Sequence, residues 1–198
     1  YAQENYTELL WFFEGFTSYY DDLLLLRSGL IDAPRYLKLL ATTISGVLGS
    51  PGRAVQSVAA ASFDAWIKYY RADENTPNAT ISYYAKGSLI ALALDLVLRR
   101  AGSSLDAVMR TLWQRFGETG IGVPEGAIAG IAGEHAQRDL TDFFIRHVDG
   151  TEDPPLAALL ADVGVKLNVR AAEGDDDRGG KPGNTTERGE SSPRSWLG

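Results

Sequence analysis

The run over residues 88–98, Ser-Leu-Ile-Ala-Leu-Ala-Leu-Asp-Leu-Val-Leu, is apolar around nearly the whole circumference of a helix. A helix with one apolar stripe can lie on a surface, but one that is apolar on every side must be enclosed by other elements. This stretch therefore predicts a central buried helix with the rest of the chain packed around it. Arg99 and Arg100 suit the negative end of its dipole, and Gly102 closes it.

The flanking segments read as the helices that do the enclosing. Residues 7–28 carry recurring apolar and aromatic side chains without proline and stop at Gly29, which predicts one long helix. Asp32 caps a second helix that is opened by Pro34 and runs to about Val47. Further helices are predicted over residues 55–61 and 63–70. Residues 73–78 are rich in Asp, Asn and Pro and read as a loop. Ser104 caps a helix over residues 105–116, Pro124 starts a short one, Asp139 caps another, and Pro154-Pro155 start the last. Val165-Lys166-Leu167-Asn168-Val169 alternates like a strand. From Ala171 onward Gly, Asp, Ser, Thr, Pro and Arg leave almost nothing to bury, which predicts a linker or disorder. The expected fold is mainly α, with a helical body over residues 1–164 followed by a flexible tail over 165–198.

Charge and composition narrow the function classes. A formal charge of -7 and a pI near 4.9 disfavour a nucleic-acid backbone or an anionic membrane as partner. The four leucines at 23–26 fall far short of the roughly 20 residues of a membrane span. Cysteine is absent, so any metal must be held by His, Asp or Glu. The polar start Tyr1-Ala2-Gln3-Glu4-Asn5 has neither an initiating Met nor the form of a signal peptide, and the chain reads as cut from a longer soluble protein of bacterial type. Its compartment, periplasm or cytoplasm, stays open, as does its oligomeric state.

One carboxylate stands out. Leu10-Trp11-Phe12-Phe13-Glu14-Gly15-Phe16 sets Glu14 among large apolar side chains, where burial is costly unless a cation or a hydrogen-bond network compensates it. A structural glutamate and a metal ligand both satisfy that demand. On a helix, Ser18 and Asp21 share the face of Glu14 and could support it or a neighbouring ligand from behind. Tyr83-Tyr84, before the central helix, could be an ordinary aromatic pair. Lys86 is expected to pair with a carboxylate or to extend its ammonium to solvent. The glycine-rich stretch 117–123 lacks the spacing of a phosphate loop.

Trp11-x-x-Glu14-Gly15-Phe16-x-x-Tyr19 resembles the segment of the gluzincin zinc peptidases that supplies their third metal ligand. Tyr84-Ala85-Lys86-Gly87 resembles the Tyr-Glu-Lys-Gly segment of the aminopeptidase branch, with Ala85 in place of its glutamate. More closely, residues 5–32, 62–70, 82–96 and 139–167 are similar to the glycyl aminopeptidase family. The resemblance implies the helical C-terminal lobe of a thermolysin-like catalytic domain, acting on peptides with a small N-terminal residue, Gly or Ala. It implies Glu14 as a zinc ligand and Tyr84, with Tyr83 as alternate, as the phenol that stabilises the oxyanion. Zinc with three protein ligands keeps an open position for chemistry.

The pattern departs from the family in one respect: the chain contains no His-Glu-x-x-His. Its two histidines, His135 and His147, stand late in the sequence and read as surface or packing residues. The chain is thus expected to start after the segment that supplies two ligands and the general base, and to be inactive alone. Ser195-Trp196-Leu197-Gly198 reads as the approach to the first strand of a truncated PDZ-like domain. A non-catalytic helical interaction module or pseudo-peptidase is the alternative reading.

Overall fold

A computed structural model of the chain describes residues 2–174 and 176–177. The architecture is a helical body wrapped around one helix, α5 (Tyr83–Arg100), whose residues from Lys86 to Leu98 are all buried. Helices α1 (Leu10–Arg27), α2 (Ala33–Leu48), α3 (Val58–Phe63), α6 (Leu105–Leu112), α7 (Ala127–Ala136) and α9 (Leu156–Ala161) all pack against it. Two short helices, α4 (Thr76–Ala79) and α8 (Thr141–Phe144), complete the set. By length and composition the stretch Thr76–Arg100 is apolar enough to cross a membrane, yet most of it is buried inside the body.

Side-chain caps define the helix starts. Asp32 accepts from the Arg35 amide at 2.9 Å, Ser82 from the Ala85 amide at 3.2 Å and Ser104 from the Ala107 amide at 3.3 Å. At the start of α1 the cap comes from another helix: the Trp11 amide donates to Ser62 Oγ of α3 at 2.9 Å. Helix α1 therefore begins at Leu10, later than residue 7, and the Gly29 that ends it adopts a φ of 75°.

Buried polar groups pin the helices to one another. Asp95, 1% exposed in the middle of α5, accepts from the Tyr19 hydroxyl at 2.7 Å, from Arg99 Nε at 2.8 Å and from the Leu105 amide at 2.7 Å. One carboxylate thus ties α1, α5 and the first turn of α6. In the first turn of α6, next to Leu105, Asp106 accepts from the Tyr20 hydroxyl at 2.8 Å and from Arg27 Nη1 at 3.0 Å.

Four expectations need correction. Residues 64–68 are turns, and Tyr69–Arg71 is one tight helical turn, so no helix covers 63–70. Helix α3 ends at Phe63, and the Asp64 carboxylate just after it pairs with Lys68 at 2.6 Å and accepts from Gln56 at 3.3 Å. Residues 76–79, read as loop, form one helical turn with Pro77 near its start. Residues 165–169 form no strand: Val165 and Leu167 pack on the core in alternation, but among the described residues no neighbouring strand offers a ladder. The predicted helix over 105–116 is α only to Leu112 and continues as a wider turn over Trp113–Gly117. The proposed approach to a PDZ-like strand at 195–198 lies outside the described residues.

Candidate active site

The site is set by two glycines. Gly15 of α1 and Gly87 of α5 meet backbone to backbone: a Cβ added to Gly15 would lie 2.6 Å from the Gly87 Cα, and one added to Gly87 would lie 2.7 Å from the Trp11 carbonyl oxygen. No side chain fits between the helices at this crossing, so their axes approach as closely as backbones allow. Near this crossing Glu14 of α1 comes close to Tyr84 of α5, one turn before Gly87.

Glu14 is half-buried on α1, between the buried Trp11, Gly15 and Phe16. Among the described residues no Lys, Arg or His forms an ion pair with its carboxylate. The polar group that meets it is the Tyr84 phenol. Burial, the negative charge of Glu14 and a hydrogen-bonding contact with that carboxylate raise the Tyr84 phenol above its usual range, against an opposing contribution from the Tyr83 hydroxyl.

Tyr84 is backed by an aromatic ladder. The ring of Tyr83 stacks on it at 4.8 Å, and Tyr69 lies 5.0 Å from Tyr83 and 5.9 Å from Tyr84. Tyr69 in turn packs edge-on to Tyr70 at 5.4 Å, and Tyr70 lies 5.7 Å from Trp66. Tyr83 is 1% exposed, and burial together with a hydrogen bond to Tyr70 pushes its phenol far above the ordinary range. Sequence reasoning assigned nothing to Tyr69 and Tyr70. The density of aromatics between 66 and 70 was the available signal, but a helix placed over that run would have turned several of them away.

On its other side Tyr84 borders a cleft of about 350 Å³ between α1, α2 and α5, whose polar lining includes Ser18, Asp21, Asp22 and Ser88. The Ser18 hydroxyl donates to the backbone carbonyl of Glu14 at 2.8 Å, so it is spent on the helix rather than on the Glu14 carboxylate. Asp21 is exposed at the cleft, and partial burial and the charge of Asp21 raise the carboxyl of Asp22.

The histidines are elsewhere. His135 is held by the Thr111 hydroxyl at 2.8 Å and the Ser103 hydroxyl at 3.3 Å, while the buried His147 packs against Phe143 at 4.8 Å with its Nδ1 on the Glu152 carbonyl at 3.1 Å. Both are packing residues. No three His, Cys, Asp or Glu side chains converge on a metal position among the described residues. The donor chemistry of Glu14 is compatible with one position of a metal site: a carboxylate oxygen without an ion-pair partner among the described residues, close to a phenol.

Residues 1–90 match the model of the M61 glycyl aminopeptidase family. The chain is similar to the crystal structure of an aminopeptidase N family protein from Idiomarina loihiensis, with 44% identity and a TM-score of 0.87. The likeness covers 92% of this chain and 32% of that protein, so the chain spans about a third of its relative's length. None of the curated proteins matches the chain.

Proposed function

Because the chain belongs to the M61 glycyl aminopeptidase family, we propose that it is the helical part of a zinc-dependent aminopeptidase that hydrolyses peptides with a small N-terminal residue, Gly or Ala. The observation that carries this reading is the meeting of Glu14 and Tyr84 across the Gly15–Gly87 crossing.

Each residue has a role on this reading. Glu14 contributes one anionic metal ligand. Zinc, when bound, supplies Lewis acidity toward a peptide carbonyl and toward water. The Tyr84 hydroxyl donates a hydrogen bond to the carbonyl oxygen as negative charge develops on it, a contribution of roughly 2.7–4 kcal/mol for a single donor of this kind. A raised phenol pKa suits that task, because the hydroxyl stays protonated and able to donate throughout the working pH range. Tyr83 keeps the Tyr84 ring in place by stacking, and is the alternate donor. Asp21 is exposed on the lining of the cleft, on one helical face with Glu14.

Among the described residues no cluster supplies the remaining ligands, and His135 and His147 are committed to packing. The chain by itself is accordingly expected to bind zinc weakly and to leave peptides intact. The test is zinc titration by calorimetry on the polypeptide that joins this chain to a His-Glu-x-x-His segment, with Glu14→Ala as the comparison. A tight single site that weakens at least about 100-fold in the variant supports the reading, in line with loss of a direct ligand. Equal affinity in both proteins, or no zinc in either, favours a pseudo-peptidase or a helical interaction module.

A further inference from the structure

Resting on the reading of Tyr84 as the oxyanion donor, we propose that Lys86 is a positioning residue for Tyr84, its buried ammonium clamping the first turn of α5 from behind. Lys86 touches neither Glu14 nor the cleft. Two residues apart on a helix, Tyr84 and Lys86 point to nearly opposite sides, so the turn that presents the phenol in front is held by the lysine at the back.

The clamp gathers three chain segments. Lys86 is 0% exposed, and its Nζ donates to the Thr151 carbonyl at 2.8 Å and the Arg53 carbonyl at 3.3 Å, with Asp153 Oδ1 at 3.4 Å. The other Asp153 oxygen is paired with Arg53. Asp153 Oδ1 is buried and makes no hydrogen bond, so the Lys86 ammonium is its charge partner. Thr151 and Asp153 lie well beyond residues 1–90, so the clamp ties the family-matched part of the chain to its second half.

The arrangement exceeds what packing needs. An uncharged Met would fill the same space without the desolvation that pushes the Lys86 amine below its ordinary range. An ammonium instead demands fixed acceptors on 53, 151 and 153, and so fixes the azimuth of the helix turn. With Ser82 capping α5 and Gly87 pressed on α1, Lys86 supplies the third constraint on the turn that carries Tyr84. A displacement of about 1 Å at a reacting group can cost about 100-fold in rate.

The experiment compares Lys86→Met, Lys86→Arg and Asp153→Asn with Arg100→Ala, which removes a surface ion pair at the far end of the same helix. On the 198-residue chain, NMR reads the proximity of the Tyr84 ring to the Glu14 side chain and the exchange rates of the Tyr83 to Gly87 amides. Lys86→Met is expected to keep its helical content, weaken that proximity signal and speed amide exchange at the first turn at least 10-fold. Asp153→Asn, which keeps both carbonyls on Lys86, gives a smaller change in the same amides, and Lys86→Arg partly restores the wild-type signals. Arg100→Ala leaves them unchanged.

In the polypeptide that includes a His-Glu-x-x-His segment, Lys86→Met lowers kcat about 10- to 100-fold with KM within about threefold. A folded Lys86→Met with wild-type proximity and exchange overturns the proposal, as does a uniform loosening that Arg100→Ala reproduces. If Lys86→Met does not fold, Asp153→Asn with unchanged first-turn amides overturns it equally. Should the wild-type polypeptide hydrolyse nothing, the aminopeptidase reading fails while the NMR comparison still decides the clamp.

Discussion

Gly15 and Gly87 are in direct backbone contact: a Cβ on Gly87 would sit 3.0 Å from the Gly15 Cα and 2.7 Å from the Trp11 carbonyl oxygen. Everything in front of this crossing, the Glu14 carboxylate and the Tyr84 phenol included, depends on the absence of two side chains.

Alanine at either glycine must therefore push α1 away from α5. Gly15→Ala and Gly87→Ala are each expected to destabilise the fold by about 1–3 kcal/mol, the usual cost of overpacking, even though alanine is the better helix former. Gly46 in α2 has nothing within 4 Å of its added Cβ, so Gly46→Ala should stabilise by about 0.5–1 kcal/mol. Urea unfolding followed by circular dichroism measures all three, and equal signs at Gly46 and Gly87 would contradict the close-crossing account.

The Asp95 carboxylate holds three donors from three helices in a buried position. Removing it strands the Arg99 guanidinium, the Tyr19 hydroxyl and the Leu105 amide together, so Asp95→Ala is expected to cost about 3–5 kcal/mol. Tyr19→Phe deletes one donor and should cost about 1 kcal/mol. A double-mutant cycle between the two positions is expected to show positive coupling, and strictly additive losses would mean that the network is not a unit.

Asp106 supplies a pH dependence with a defined sign. Partial burial would raise its carboxyl, but the hydrogen bonds from Arg27 and Tyr20, with the Arg27 charge, outweigh burial and hold it below the usual range. A carboxylate depressed in the folded state contributes stability that is fully present above its unfolded pKa of about 3.9 and lost as pH falls through the lower folded value. Stability measured from pH 7 down to pH 2 should therefore fall less steeply below about pH 4 in Asp106→Asn than in the wild-type chain. Parallel slopes in the two proteins would remove Asp106 from the account.

The fold was largely legible because its strongest signals are local. An apolar circumference made α5 central, and the caps Asp32 and Ser104 stand where a short polar side chain precedes a helical run. The strand read over 165–169 came from an alternation that is real in burial but lacks the partner that a strand needs. The aromatic run 66–70 was read as helix because local composition carries no trace of the turn that Asp64 closes with Lys68.

The two motifs of the candidate site are legible, and the resemblance implies that Glu14 and Tyr84 act together; the backbone crossing that brings them near each other is not legible. Glu14 and Tyr84 stand far apart in sequence, and only the two glycines beside them report that α1 and α5 touch. The Ser18 hydroxyl illustrates the limit: helical spacing places it on the Glu14 face, yet its bond goes to the Glu14 backbone carbonyl, a choice that spacing alone does not encode. Lys86 was expected to find a carboxylate or solvent, and the carboxylate it finds, Asp153, is a long-range partner that no local pattern announces.

The most direct measurement of the central claim is the kcat of Tyr84→Phe on an alanyl or glycyl peptide, in the polypeptide that carries a His-Glu-x-x-His segment, with zinc content determined on the same sample. A drop of about 100- to 1,000-fold in kcat at unchanged zinc stoichiometry is the expected result, because only a hydrogen bond to the developing oxyanion has been removed. Wild-type kcat in a Tyr84→Phe protein with full zinc would contradict it and leave the phenol opposite Glu14 as packing.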